Sequence, residues 1–403
     1  MRRRLALSSA ALLAVFQTLS AQDAGFKINS EVNQVKVEQA IARGIAFLKT
    51  SDSPDSTVGP DSDELKLLTF VHGGVPDNDA AFTPLLEKCL ARPLDRTYRV
   101  SILAMCLEEI DRAKYQDKIA LCGQFLLDNI KSNGGFGYGE PTAAVPGAGE
   151  APRTSAFKVK KPPAPINPDV KQKPDVVKHI TLKKSKDGNE AQRTDNSNSQ
   201  YGALGIRACH DAGILFPKEI IEKCQQYWVK NQRTDKTEAK NKGVASGGKG
   251  GFGWCYGEGE PCSKNGPAYS SMTAGAVGAL CIYNYILGKD WKKDRAVIEG
   301  MNWLDANYSM TQNVGPCEIA PVPDGWLYYY LYALERTGLL YDTTLIGKHD
   351  WYLDGYKTLL GSQKGDGSWD KSHFIKPTWD TCFAILFLKR STRPLVASMV
   401  ERR

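Results

Sequence analysis

The apolar positions of this chain recur at helical spacing in two alternating styles. One style carries a single stripe at i, i+4 and i+7 or i+8. Examples are Val37, Ile41, Ile45 and Leu48; Ile220, Cys224 and Trp228; and Val297, Met301 and Leu304. The other style is apolar nearly all round, as in Ser101-Ile-Leu-Ala-Met-Cys-Leu107, Thr273-Ala-Gly-Ala-Val-Gly-Ala-Leu-Cys-Ile282, Trp326-Leu-Tyr-Tyr-Tyr-Leu-Tyr-Ala-Leu334 and Thr381-Cys-Phe-Ala-Ile-Leu-Phe-Leu388. A striped helix needs one apolar wall, whereas a helix without a polar face must be enclosed on all sides. The alternation therefore predicts an outer ring of helices wrapped around an inner ring. The expected pairs are 37–50 with 64–71, 81–91 with 96–110, 115–131 with 197–213, 218–232 with 270–287, 293–308 with 325–340, and 349–363 with 379–390. About six hairpins are enough to close a double ring, with an open solenoid as the competing arrangement. Strand signals are almost absent, so the predicted fold class is all-α, an (α/α)6 toroid.

The stretch 141–194 interrupts this pattern. It contains Pro162-Pro-Ala-Pro165, scattered lysines and few large apolar residues, so it cannot bury enough surface to fold by itself. The expected organisation is a signal peptide at 1–21, a first half-ring at 30–140, a disordered Pro/Lys-rich insertion at 141–194 and a second half-ring at 195–392. The formal charge of +7 gathers largely in that insertion. No aromatic-interleaved basic face accompanies it, so nucleic acid is not an expected partner.

Arg2, Arg3 and Arg4 precede an apolar run from Leu5 to Leu19, followed by Ser20 and Ala21. That order reads as a cleavable export signal, with a retained N-terminal membrane helix as the alternative. No later segment has the apolar length of a membrane span, so the expectation is a periplasmic or extracellular protein without stable membrane insertion. Of the ten cysteines, Cys89, Cys106, Cys122, Cys209, Cys224, Cys281 and Cys382 fall within helical apolar patterns, where cysteine acts as a small hydrophobe. Cys255 and Cys262 flank a Gly/Pro-rich loop and are the candidate disulfide, with Cys317 as a competing partner. No pair has CxxC zinc spacing, and no metal or other cofactor is implied.

A Gly-aromatic turn recurs after outer helices: Asn133-Gly-Gly-Phe-Gly-Tyr138, Lys249-Gly-Gly-Phe-Gly-Trp254 and Gln363-Lys-Gly-Asp-Gly-Ser-Trp369. The last copy resembles the QW repeat of squalene and hopene cyclases, and the others resemble its relatives in prenyltransferase β subunits. Asp195-Asn-Ser-Asn-Ser-Gln-Tyr201, Ser271-Met-Thr-Ala-Gly275 and Cys382-Phe-Ala-Ile-Leu-Phe-Leu-Lys-Arg390 resemble uncharacterised exported bacterial proteins with squalene-cyclase-like repeats. The resemblance covers nearly the whole mature chain outside the insertion. It implies the terpenoid-cyclase and prenyltransferase toroid and no established reaction.

The catalytic signatures of that superfamily are broken here. The acid motif of class II cyclases, DxDD, is nearest to Asp61-Ser-Asp-Glu64, which departs at its last position and opens a predicted helix. Against the zinc site of prenyltransferases, Asp324-Gly-Trp326 puts tryptophan where a thiolate belongs. Trp379-Asp-Thr-Cys-Phe383 puts Asp380 where a histidine belongs.

What remains is positional. In a toroid all inner helices start at one end, so their first turns meet around one cavity mouth. The expected ligand-binding set is Arg96, Tyr98, Arg99, Asn198, Gln200, Tyr201, Ser271, Thr273, Trp326, Tyr328 and Trp379. Asp324 and Asp380 are the carboxylate pair expected to do any acid–base chemistry. Helix capping is the competing explanation for the Asp and Ser residues. The expected function is binding of an unidentified ligand or envelope protein at the cavity mouth. The alternative is a lipid- or polysaccharide-active enzyme using Asp324 and Asp380, and an active terpene cyclase or prenyltransferase stands third.

Overall fold

The computed structural model describes residues 28–52, 62–141, 174, 176–182, 194–233, 251–257, 268–315, 325–371 and 376–395. Residues 1–21, expected to be a signal peptide, most of the 141–194 stretch, Asp324, Cys262 and Cys317 lie outside the described residues. The fold is all-α. Helices α1 (Gln34–Thr50), α3 (Phe82–Ala91), α5 (Gln116–Asn129), α7 (Lys218–Asn231), α9 (Arg295–Ala306) and α11 (Trp351–Ser362) alternate with α2 (Asp63–His72), α4 (Thr97–Asp111), α6 (Asn196–Asp211), α8 (Ser270–Ile286), α10 (Leu327–Tyr341) and α12 (Pro377–Lys389).

The even-numbered helices are the enclosed ones. α8 is buried from Ser270 to Tyr285 and α10 from Leu327 to Leu340, whereas α9 buries only Ala296, Val297, Gly300, Trp303 and Leu304. Their packing order is cyclic: α2 on α4, α4 on α6, α6 on α8, α8 on α10, α10 on α12, and α12 back on α2. Each outer helix lies over this inner series. The pairing differs from simple hairpins, because α1 packs mainly on α12, α3 on α2, and α9 on α8. An outer helix that bridges to the inner helix before it ties consecutive repeats together, and α1 on α12 joins the ends of the chain.

The Gly-aromatic turns are the joints. Gly251 has φ +70°, and a Cβ there would lie 2.1 Å from the Glu299 carbonyl oxygen of α9. The bare glycine lets Phe252 N–H donate to that same oxygen at 3.1 Å. Gly367, at φ +89°, makes the same approach to Arg43 of α1. The last turn is therefore docked on the first helix. The tryptophan that closes each of these two turns is buried. Trp254 donates Nε1–H to the Trp228 carbonyl at 2.8 Å, and Trp369 donates to the Leu359 carbonyl at 2.9 Å. A hydroxyl from the following inner helix accepts each aromatic residue's backbone N–H: Ser199 for Phe136, Thr273 for Trp254 and Thr381 for Trp369, at 2.9–3.0 Å.

Part of the 141–194 stretch is ordered. Strand β1 (Lys178–His179) pairs in parallel with β2 (Ile214–Leu215), and Ile180 is buried. Gln116 and Gln124 of α5 donate to the carbonyls of Val176 and Thr181, so this short piece is stitched to α5 by glutamines. A second two-stranded ladder, β3 (Leu345–Ile346) with β4 (His349–Asp350), links α10 to α11.

Candidate functional site

The first turns of α4, α6, α10 and α12 do converge. The Tyr98 hydroxyl is bonded to Ser197 Oγ, which lies 2.6 Å from the Tyr329 hydroxyl. Gln200 Nε2 donates to that same Tyr329 oxygen at 2.7 Å, and Arg336 Nη2 donates to Gln200 Oε1 at 2.8 Å. Aromatic rings complete the cluster. Tyr201 sits 4.8 Å from Tyr98 and 6.3 Å from Tyr329, Phe383 lies 5.6 Å from Tyr329, and the Arg336 guanidinium lies 4.2 Å from the Tyr332 ring centroid.

These side chains pack against one another. Gln200, Tyr201, Tyr329 and Arg336 are all at most 4% exposed. Burial holds the phenols of Tyr98 and Tyr201 well above the ordinary tyrosine range and pushes Tyr329 up to about 12. The phenols on both sides of the Ser197 hydroxyl are therefore neutral. Among the described residues, no three His, Cys, Asp or Glu side chains gather as a metal-binding group.

Other expected site residues have different roles. Asn198 belongs to the Asp195 cap of α6, taking its backbone and side-chain donors at 2.6 and 2.8 Å. Ser271 is tied to Asn313 through its backbone N–H and its hydroxyl, and Thr273 holds the Trp254 turn. Tyr328 points away from the cluster, toward Ser362 of α11 at 3.4 Å. Arg99 pairs with Asp95 at 2.6 Å, and Arg96 is half-buried at the start of α4. Trp326 and Trp379 do meet, 5.7 Å apart at the rim of the cluster, with Trp326 held at φ +64°.

Asp380 is buried, and its Oδ2 accepts the Lys371 backbone N–H at 3.1 Å. It therefore fastens the loop before α12. Its expected partner Asp324 is outside the described residues. Cys255 is buried with its sulfur accepting from Arg233, and its expected partner Cys262 is likewise outside. In the cyclase-like string, Asp63 and Glu64 are held by Arg92, and Asp63 also by Lys88. Cys89, Cys106, Cys122, Cys209 and Cys281 are buried free thiols, in keeping with their apolar helical settings.

Sequence reasoning overlooked Ser197, Tyr329, Phe383 and Arg336. A signal for the last was present: Glu335-Arg336 continues a helix that is otherwise apolar all round, where a charge must find buried partners. The chain matches no known family model and no curated protein.

Proposed function

We propose that this protein is an exported α/α-toroid scaffold that binds a protein partner on the end face where its inner helices begin, and that it has no central reaction chamber. The cyclic helix order and the docking of the last Gly-aromatic turn on α1 support the toroid. The observation that carries the functional reading is the plug formed by Tyr98, Ser197, Gln200, Tyr201 and Tyr329, which occupies the place a substrate would take. Outside the plug the same end presents half-buried Arg96, Tyr256 and Trp326 and the exposed Tyr138, residue types that anchor protein interfaces. No helix among the described residues is long and apolar enough to cross a membrane.

Native mass spectrometry of the protein purified from its own cell envelope tests this reading. The expected species are the bare chain and its complex with one protein partner, the complex being lost in Trp326→Ala. A retained molecule of isoprenoid or oligosaccharide mass, or turnover of squalene or a prenyl diphosphate by the pure protein, would refute it.

A further inference from the structure

Residues 391–395 leave α12 through Arg390, whose backbone takes the left-handed φ of +49°. The segment runs past α10 and reaches α4, two helices that are not neighbours in the packing order. Three contacts hold it. The Thr392 backbone N–H and hydroxyl both donate to Glu335 of α10, at 2.9 and 2.8 Å. Arg393 Nη2 meets Glu109 of α4 at 3.2 Å, and Leu395 is buried. Ser391, Thr392 and Arg393 also line a cavity of about 50 Å³, opposite His72 of α2, Glu108 of α4 and Asp211 of α6.

Glu335 is an unusual anchor for such a segment. It is fully buried, and among the described residues no lysine, arginine or histidine lies within ion-pair distance of its carboxylate. A carboxyl group taken out of water without a paired cation resists ionisation. The charges around it are committed elsewhere. α10 itself supplies Tyr332 and Arg336, and Arg390 follows the end of α12. Arg336 serves Gln200 and the Tyr332 ring, and Arg390 lies over the Tyr352 ring. α8 carries no charged residue. In α11, Asp354 and Lys357 are bonded to Tyr308 and Glu31; in α12, Asp380 accepts from Lys371 and Lys389 pairs with Glu38. On the cavity wall, Glu108 meets Arg112 and Asp211 meets Arg207. Burial therefore outweighs the Thr392 hydrogen bonds and both arginines, and raises the Glu335 carboxyl to about 7.

We propose that residues 391–395 are a pH-released latch, closed on α10 while Glu335 is protonated and swung clear of it when Glu335 ionises. Opening gives the carboxylate water and returns it to the ordinary value of 4.5. The closed form is then fully favoured below pH 4.5, loses ground between 4.5 and 7, and levels off above. The chain leaves helical geometry at Arg390, so the segment can move without disturbing α12. The Arg393–Glu109 pair and buried Leu395 keep the open form a minority at acid pH.

The test is hydrogen exchange of the full chain, read at the Thr392 backbone N–H and corrected for the intrinsic rate at each pH. Its protection is expected to fall ~10- to 70-fold from pH 5 to pH 8 and to level off above about 7. The Phe252 N–H, held by the Glu299 carbonyl in a different joint, should show no matching fall. In Glu335→Gln the Thr392 protection should be the same at both pH values. If that variant does not fold, the profile of the parent protein decides the question alone. The proposal is overturned if Thr392 protection does not fall, or if its fall begins only above pH 7. It is also overturned if Phe252 loses protection equally, which means whole-molecule unfolding, or if folded Glu335→Gln keeps the pH dependence.

Discussion

Replacing Glu335 with glutamine tests how the enclosed helix α10 tolerates a buried charge. Glu335 is fully buried in α10, accepting the Thr392 backbone N–H at 2.9 Å and the Thr392 hydroxyl at 2.8 Å. Burial raises its carboxyl from 4.5 to about 7, against the opposing hydrogen bonds from Thr392 and the charges of Arg336 and Arg390. Those arginines fall short because they are engaged elsewhere: Arg336 with Gln200 and the Tyr332 ring, and Arg390 over the Tyr352 ring. The folded state thus prefers the proton. Stability from this group is complete below pH 4.5, falls as pH climbs toward 7, and is lost above it. A shift of that size is worth about 3 kcal/mol at pH 8 as an upper figure. Glutamine is neutral at every pH, and its amide can still accept from Thr392 N–H and donate to Thr392 Oγ1. Urea unfolding followed by circular dichroism should show the two proteins nearly equal at pH 4. At pH 8 the Glu335→Gln protein should be more stable by ~1–3 kcal/mol. If it is instead less stable at pH 8, the carboxylate is ionised and held by the arginines, and the desolvation argument is wrong.

Three further outcomes follow from the joints between repeats. Thr381→Val leaves the buried Trp369 N–H without its acceptor and should cost ~1–3 kcal/mol in urea unfolding; an unchanged midpoint would remove the hydroxyl from the account of the turn. Gly251→Ala should destabilise by at least ~1–2 kcal/mol, since it combines positive φ with a clash against the Glu299 carbonyl. Gly361→Ala, exposed near the end of α11 with nothing within 4 Å of the new methyl, should stabilise by ~0.5–1 kcal/mol in the same assay. Gly251→Ala and Gly361→Ala shifting in the same direction would contradict the assignment of Gly251 as a close-approach position.

The candidate site was legible only in part. Tyr98, Gln200 and Tyr201 lie in first turns of inner helices, and α/α alternation was enough to expect such turns at one end. Thr273 sits in the same kind of turn, yet its hydroxyl serves the Gly-aromatic joint. Tyr328 and Tyr329 are sequence neighbours on a helix apolar all round, so periodicity could not say which faces inward; the structure sends Tyr329 to the cluster and Tyr328 toward α11. Cys122, Cys281 and their like were readable as core because a thiol at an apolar helical position packs as a small hydrophobe.

The alternation of striped and all-round apolar helices determined from sequence that this protein is all-α and which helices are enclosed, because the number of apolar faces counts the sides that must be covered. The tertiary structure decided which inner helix each outer helix covers. It also decided that Tyr98, Tyr201 and Tyr329 from three inner helices meet at one end. Those features depend on where side chains from distant helices point, and a periodic pattern in one helix carries no information about the groups that another helix brings to meet it.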